Sequence, residues 1–270
     1  MAVVLVTGAN RGIGLAIAQS ITARLPNDTV ILGCRTLQSG QDAIERLQAG
    51  GIGLKLDVVE IDIESDSSIA TAVAAIERKY GRLDVLVNNA IKLDVSTAEG
   101  DLPSARAVSN ACFNNGITSN AIVTRAFTPL LRKSANPRVV MVSSTRGSMG
   151  RTASRQLPPV AVVDYCIVKA GLNMLTLHLQ AAEDNDDDHD GETRITFWAV
   201  SPGHCKTGFN GFRGTKDPLD GAEVVLRLLE SQAGEIPGGT FWEYEGGEFQ
   251  DLSVDATPLR AASHACFNMY

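Results

Sequence analysis

The first fourteen residues place a glycine-rich turn between a buried strand and a helix. Val3 to Val6 is a run of branched apolar residues, typical of a strand buried on both faces. Glycines follow at positions 8, 12 and 14, and a helical pattern begins directly after them. Glycine lets backbone amides approach an anion closely, and a helix start favours negative charge. The segment predicts a cradle for a dinucleotide pyrophosphate; the alternative is an ordinary strand–turn–helix unit with surplus glycine.

Strand-like and helix-like patterns alternate from one end of the chain to the other. Runs of branched apolar residues lie at 3–6, 29–33, 54–61, 83–88, 138–143, 194–200 and 240–244. Helical patterns separate them near 12–24, 37–49, 66–80, 103–133, 165–183 and 218–232. This order predicts a single doubly wound α/β domain of Rossmann type, a parallel sheet of about seven strands with helices on both faces. We place that domain at residues 1–252 and leave the C-terminal tail, 253–270, unassigned because it has no periodicity.

The composition is that of a globular protein. Hydrophobic residues make up 44% of 270, the apolar runs are only strand-length, and the formal charge is −7. These features argue against a membrane span and against nucleic acid as a partner. The five cysteines are scattered and form no C-x-x-C pair, and the N-terminal residues do not resemble a secretion signal. Both observations predict a cytoplasmic protein. The aspartate-rich run 184–190 lacks EF-hand spacing, so we expect a solvated loop there and no metal site.

A tyrosine and a lysine four residues apart open one of the helical runs. Tyr165 and Lys169 share a helix face, so their phenol and ammonium groups can enter one site. The alternative is a tyrosine packed on the core with a solvated lysine one turn later. Ser144 favours the first interpretation, because it follows the strand-like run at 138–143. Ligands of open α/β sheets bind at the carboxyl ends of strands, where these three residues are expected to meet.

Together these segments resemble the short-chain dehydrogenase/reductase family over residues 1–250. The similar elements, in chain order, are the cofactor motif Thr7-Gly8-x-x-x-Gly12-x-Gly14, the adenine-side pair Asp62-Ile63, the segment Leu86-Val87-Asn88-Asn89-Ala90 in place of Asn-Asn-Ala-Gly, the catalytic set Ser144, Tyr165 and Lys169, and the nicotinamide segment Pro202-Gly203 with Thr207. A weaker likeness to carbonyl-reductase-like members lies at 213–223.

The resemblance implies hydride transfer between a nicotinamide dinucleotide and a ketone, aldehyde or alcohol. Tyr165 is then the general acid, Ser144 bonds the substrate oxygen, and Lys169 lowers the pKa of Tyr165 and holds the nicotinamide ribose. The family often adds an asparagine, for which Asn115 is the nearest candidate, with Asn114 adjacent; a helix-surface role is the alternative. The residues implied to bind the cofactor are Gly8, Asn10, Arg11, Gly12, Ile13, Gly14, Arg35, Asp62, Ile63, Asn89, Tyr165, Lys169, Pro202, Gly203 and Thr207.

The chain departs from the family pattern at two places. Ile91 stands where the family has a glycine, and it is expected to be strained if the backbone there needs a positive φ. Ser144 and Tyr165 are 21 positions apart, and the surplus lies at 151–159. Two prolines in that segment predict a non-helical loop. This loop is either part of the substrate wall or a neutral insertion.

Basic residues near the glycine turn predict which dinucleotide binds. The second strand-like run ends in Cys34-Arg35-Thr36, where NAD enzymes of this fold usually have an acidic residue. Arg35 and Arg11 therefore favour NADP(H), unless both are merely solvated surface charges. We predict an NADPH-dependent reductase of a small-molecule carbonyl compound, or the reverse alcohol oxidation. The alternatives are an NAD-linked alcohol dehydrogenase and a non-catalytic dinucleotide-binding regulator. The apolar helical stretches 103–133 and 165–183 predict a homodimer or homotetramer.

Overall fold

An eight-stranded sheet runs through the centre of the protein. The computed structural model describes residues 1–51, 55–92, 101–159, 162–185 and 193–253. The strands are β1 Val3–Thr7, β2 Thr29–Cys34, β3 Leu56–Glu60, β4 Val85–Asn88, β5 Arg138–Val142, β6 Thr196–Ser201, β7 Thr240–Glu245 and β8 Glu248–Asp251. Their spatial order is β3-β2-β1-β4-β5-β6-β7-β8, and only β8 pairs antiparallel. The predicted Rossmann-type α/β fold is confirmed.

The helices cover both faces of the sheet. They are α1 Gly12–Arg24, α2 Leu37–Ala49, α3 Asp66–Tyr80, α4 Leu102–Phe113, α5 Ser119–Leu131, α6 Met149–Ala153, α7 Val163–Asn185 and α8 Pro218–Glu230. Alternate residues of β1 show how the two cores arise: Val4 and Val6 pack with α1 and α8, whereas Val3 and Leu5 face α3 and α5. Because both faces of β1, β5 and β6 are buried, these central strands are largely apolar runs.

Three details differ from the sequence-based expectation. A short antiparallel strand, β8, extends the sheet beyond the seven expected strands, because the glycine pair at 246 and 247 has positive φ and forms a tight turn after β7. The stretch predicted as one helix at 103–133 is interrupted by a π-helical turn, Asn114–Thr118. Part of the segment predicted as a non-helical loop forms α6, whose first turn is capped by Ser148.

The backbone φ angle at Ile91 decides whether this departure from the family pattern is strained. Within the described residues, the positive φ angles outside glycine belong to Arg155 and Phe212. Ile91 therefore does not carry the backbone strain that a positive φ would impose.

The aspartate-rich run lies mostly outside the described residues, and so does the tail after residue 253. The domain boundary at residue 252 stays a prediction.

The sheet order fixes where a ligand can bind. The chain moves outward from β1 to β3 and then returns to place β4 on the other side of β1. Crevices in sheets of this kind open at such a reversal, outside the carboxyl ends of the strands. The carboxyl ends of β1, β4, β5 and β6 all lie at that edge.

Candidate active site

The glycine-rich turn joins the carboxyl end of β1 to the start of α1. Gly8 and Gly12 have φ angles of 66° and 59°, a conformation that other residues rarely adopt. An added Cβ at Gly14 would lie 2.5 Å from the Gly8 carbonyl oxygen. The Gly8 N–H donates to the Gly33 carbonyl in β2 at 2.7 Å, which fixes the turn against the sheet. A side-chain-free surface at a helix start fits the pyrophosphate of a dinucleotide.

Asn89 supports this turn from the neighbouring strand end. Its side-chain amide donates to the Thr7 carbonyl at 2.8 Å and to the Gly8 carbonyl at 3.3 Å. The Thr7 hydroxyl accepts hydrogen bonds from the backbone N–H groups of Asn89 and Ala90, each at 3.0 Å. Asn89 thus has a structural role within the protein, and its direct contact with a cofactor stays a prediction.

Three arginines lie around the glycine turn. Arg11 is the N-cap of α1, and Arg35 directly follows β2; both side chains are exposed. Arg46 comes from α2 and donates to the Asn10 carbonyl at 2.9 Å. Sequence reasoning missed Arg46, because its pairing depends on how α2 folds back towards the turn. The edge of the cradle next to β2 is therefore rich in positive charge.

Asp62 and Ile63 leave the sheet directly after β3, beside the end of β2. The N–H of Ile61 donates to the Cys34 carbonyl at 2.7 Å, which keeps these two chain segments together. Asp62 is half-buried and accepts from the Glu64 N–H at 3.0 Å, whereas Ile63 is buried. This position, at the same edge as the glycine turn, is compatible with the predicted contact with adenine.

Ser144, Tyr165 and Lys169 converge at the carboxyl end of β5. The Ser144 hydroxyl accepts from the Arg146 N–H at 3.2 Å and caps a short 3₁₀ turn. The ammonium of Lys169 is buried, donates to the Val142 carbonyl at 2.6 Å and lies 5.6 Å from the centroid of the Tyr165 ring. The three residues predicted to be catalytic therefore form one cluster.

Backbone contacts set the distance between the Ser144 turn and helix α7. An added Cβ at Gly147 would lie 2.5 Å from the carbonyl carbon of Lys169, so only glycine fits there without a shift of the backbone. The Ser143 hydroxyl donates to the Lys169 carbonyl at 3.1 Å. These two contacts hold the Ser144 turn directly against the part of α7 that carries Lys169.

Burial controls the proton affinities in this cluster. It raises the pKa of Tyr165 to about 12, while hydrogen bonding with Ser144 and the nearby Arg146 guanidinium act in the opposite direction. Burial lowers the pKa of Lys169 to about 7. The raised pKa of Tyr165 differs from the sequence-based expectation that Lys169 lowers it, because burial of the phenol outweighs the groups that act in the opposite direction. Tyr165 is thus a protonated phenol near neutral pH.

The π-helical turn places the two neighbouring asparagines differently. Asn115 is buried, and its side-chain oxygen accepts from the Lys92 N–H at 2.6 Å. Asn114 points outward to Glu64. The turn packs closely on α7, since an added Cβ at Gly116 would lie 2.2 Å from a methyl group of Val168. Asn115 therefore lies on the inner side, beside the helix turn that carries Lys169, and its role in the site stays a prediction.

The segment after β6 closes the site from the other side. Gly203 has a φ of 82°, and the buried Thr207 lies 3.7 Å from the position of an added Cβ at Gly12. The predicted nicotinamide segment and the glycine turn are therefore neighbours. Cys205 is buried and donates to the Pro202 carbonyl at 3.2 Å, and burial raises the pKa of its thiol to about 11. This is the environment of a packing residue and not of a reactive thiol.

Sequence profiles assign the fold to a family. The profile described as short chain dehydrogenase matches residues 2–217. The chain belongs to the short-chain dehydrogenase family. A short-chain dehydrogenase/reductase of Aspergillus fumigatus is 40% identical over 256 residues, covering 92% of this chain and 95% of that protein. Carbonyl reductase (NADPH) 1 of Mus musculus is 28% identical, covering 88% of this chain and 95% of the reductase.

Two solved structures superpose over most of the chain. NADPH-bound carbonyl reductase from chicken fatty liver has a TM-score of 0.73 and 25% identity, covering 91% of this chain and 97% of that one. Salutaridine reductase from Papaver somniferum has a TM-score of 0.73 at 22% identity, covering 89% and 99% of the two chains, and shares the fold. In the described part of this short-chain dehydrogenase, no helix is long and apolar enough to cross a membrane.

Two further side chains lie beside Tyr165 that sequence motifs did not identify. The ring of Phe209 lies 5.9 Å from that of Tyr165, centroid to centroid, and is 46% exposed. Arg146 donates to the Pro158 carbonyl at 2.5 Å and so spans from the Ser144 turn to the inserted segment. Both lie in three-residue 3₁₀ turns, which are too short for a periodic pattern to indicate which way a side chain points.

Proposed function

We propose that this protein is an NADPH-dependent oxidoreductase that reduces a ketone or aldehyde to an alcohol, or catalyses the reverse reaction, with Tyr165 as the general acid. The observation that carries this proposal is the convergence of Ser144, Tyr165 and Lys169 at the sheet edge that also holds the glycine turn. The similarity to carbonyl reductases, including one described as NADPH-bound, supports a carbonyl substrate and NADP(H).

The roles of the side chains follow from their chemistry. When bound, the nicotinamide of the cofactor would supply or accept the hydride. Tyr165, protonated near neutral pH because its pKa is raised to about 12, donates its proton to the substrate oxygen. The Ser144 hydroxyl bonds the same oxygen and stabilises the charge that develops there. Lys169, when it carries its proton, places a positive charge beneath the phenol, and its predicted contact with the ribose of the cofactor gives it a second role.

The decisive experiment is an assay of NADPH oxidation against a broad panel of ketones and aldehydes, followed at 340 nm. A substrate-dependent loss of absorbance that ceases in Ser144→Ala supports the proposal. Turnover with NADH alone favours an NAD-linked alcohol dehydrogenase instead. NADPH binding without turnover on any substrate class, in either direction, favours a non-catalytic dinucleotide-binding regulator.

Phe209 is expected to contribute to substrate binding. Its exposed ring stands against Tyr165, where an apolar part of a substrate can pack on it. Phe209→Ala should raise KM for an aryl ketone by roughly two- to tenfold, while KM for NADPH stays unchanged. Leu177→Ala is the control, because Leu177 is 50% exposed and lies beside Gly239 at the opposite edge of the sheet. An equal change in both variants would contradict this role.

We also propose a homodimer or homotetramer. Ile122 of α5 and Ile167 and Met174 of α7 are exposed apolar residues on helices that cover the same face of the sheet. Self-association through these helices would bury them. Light scattering should give at least twice the chain mass of 28.7 kDa, and Met174→Glu should lower it. A wild-type mass equal to that of one chain at micromolar concentration contradicts the proposal.

The cytoplasmic location stays a prediction.

A further inference from the structure

A buried hydroxyl joins the two loops that form the candidate active site. Ser201, the last residue of β6, accepts from the Thr145 N–H at 3.1 Å and from the Gly203 N–H at 3.4 Å. It donates to the side chain of Glu243 at 3.1 Å. A serine hydroxyl has one donor and two acceptor sites, so these three bonds use its full capacity. Thr145 adjoins Ser144, and Gly203 belongs to the predicted nicotinamide segment.

Glu243 connects this hydroxyl to the inserted segment. It lies opposite Ser201 in the register of β6 and β7 and is only 6% exposed. Its second oxygen accepts from the guanidinium of Arg151 at 3.1 Å. Arg151 belongs to α6, within the surplus residues between Ser144 and Tyr165. An ionised carboxylate can only accept hydrogen bonds. The Ser201 hydroxyl must therefore point its proton at Glu243, which leaves its lone pairs for the two backbone N–H groups.

We infer that Ser201, Glu243 and Arg151 are positioning residues that set the Ser144 turn and the nicotinamide segment relative to one another. The inference rests on the proposed function, since it assigns these residues to the reductase site. None of them is placed against the reacting atoms. Their contribution is to hold two loops from different strands at one spacing, and misplacement by about 1 Å can cost as much as a hundredfold in rate. The inserted segment is then neither neutral nor only a substrate wall.

The test compares two buried carboxylates. Glu183 is 8% exposed and is ion-paired with Arg132, and it accepts from the Ile195 N–H before the start of β6, at the opposite edge of the sheet. Glu183→Gln and Glu243→Gln should both lower Tm, since each weakens a buried ion pair. Only Glu243→Gln should lower kcat, by about tenfold or more, with the Kd of NADPH changing much less. Equal kcat in the two variants at full folding overturns the inference.

A double-mutant cycle shows whether Ser201 acts through Ser144. Ser201→Ala alone should lower kcat by about tenfold, whereas in a Ser144→Ala background the same change should have little further effect. Ser201→Thr, which keeps the hydroxyl, should restore most of the rate. Thr22→Val is the control, because it removes a buried hydroxyl bond of 2.8 Å within α1 and should leave kcat unchanged. Fully additive effects of Ser144→Ala and Ser201→Ala would show a merely structural role.

A measurement without turnover separates this inference from the proposed function. Fluorescence of bound NADPH reports the surroundings of the nicotinamide, so its emission should shift in Ser201→Ala and Glu243→Gln but not in Glu183→Gln. If the wild-type protein reduces no carbonyl compound yet Ser201→Ala and Glu243→Gln show these shifts, the proposed function fails while the positioning role holds. If the wild-type protein is active and neither variant alters emission or kcat, the positioning role is wrong.

Discussion

Tyr165→Phe is expected to lose most turnover while the fold and the binding of NADPH persist. The substitution removes only the phenolic hydroxyl, and the ring still packs against Phe209 and above Lys169. General acids contribute about 10²–10⁴-fold to rate, so kcat should fall by that factor. The measurement is kcat with a substrate identified in the carbonyl panel, together with the Kd of NADPH from fluorescence titration.

Lys169→Ala provides the informative contrast. It removes the cation beneath the phenol and also the predicted contact with the ribose, so both kcat and NADPH affinity should decrease. In Tyr165→Phe only kcat should change. A Tyr165→Phe protein that reduces the same substrate at a rate near that of the wild type would show that the proton comes from another group.

Most of the fold could be predicted because each strand and helix is indicated by a pattern within its own short stretch of sequence. Strand runs that are apolar on both faces require cover on both sides, and the alternation with helices leaves few topologies. What sequence reasoning missed depends on distant packing. The π-turn at Asn114–Thr118 interrupts a continuous helical pattern, and only the Asn-Asn-Gly triplet, poor in helix propensity, could have indicated it. Strand β8 is too short and polar to give a periodic signal.

Site residues that belong to motifs of fixed spacing could be predicted. Contacts between residues far apart in the sequence could not. The convergence of Ser144, Tyr165 and Lys169 could be expected from strand ends and helix spacing. The bond between Glu243 and Ser201 could not, because it depends on the register of β6 and β7. The high pKa of Tyr165 was not foreseen either, since burial is a property of the folded protein and not of a motif.

Arg35→Asp is expected to shift cofactor preference from NADPH towards NADH. The glycine turn is bonded to the end of β2, so the exposed Arg35 and Arg11 stand beside the place where the adenosine ribose would bind. Hydrogen bonds to charged groups contribute roughly 1.5–3 kcal/mol each, so two such contacts with a 2′-phosphate would favour NADPH by about a hundredfold or more. Aspartate would repel that phosphate and accept bonds from the 2′-hydroxyl of NADH.

The shift should be seen chiefly in KM for NADPH, because the substituted side chain lies away from Tyr165 and the reacting atoms. Arg78→Asp is the matched control: Arg78 is exposed in the last turn of α3, so it reverses the same charge outside the cradle. Its KM for NADPH should stay that of the wild type, which separates a local contact from a change in net charge. Equal kcat/KM for NADPH and NADH in the wild-type protein would show that neither Arg35 nor Arg11 binds the 2′-phosphate.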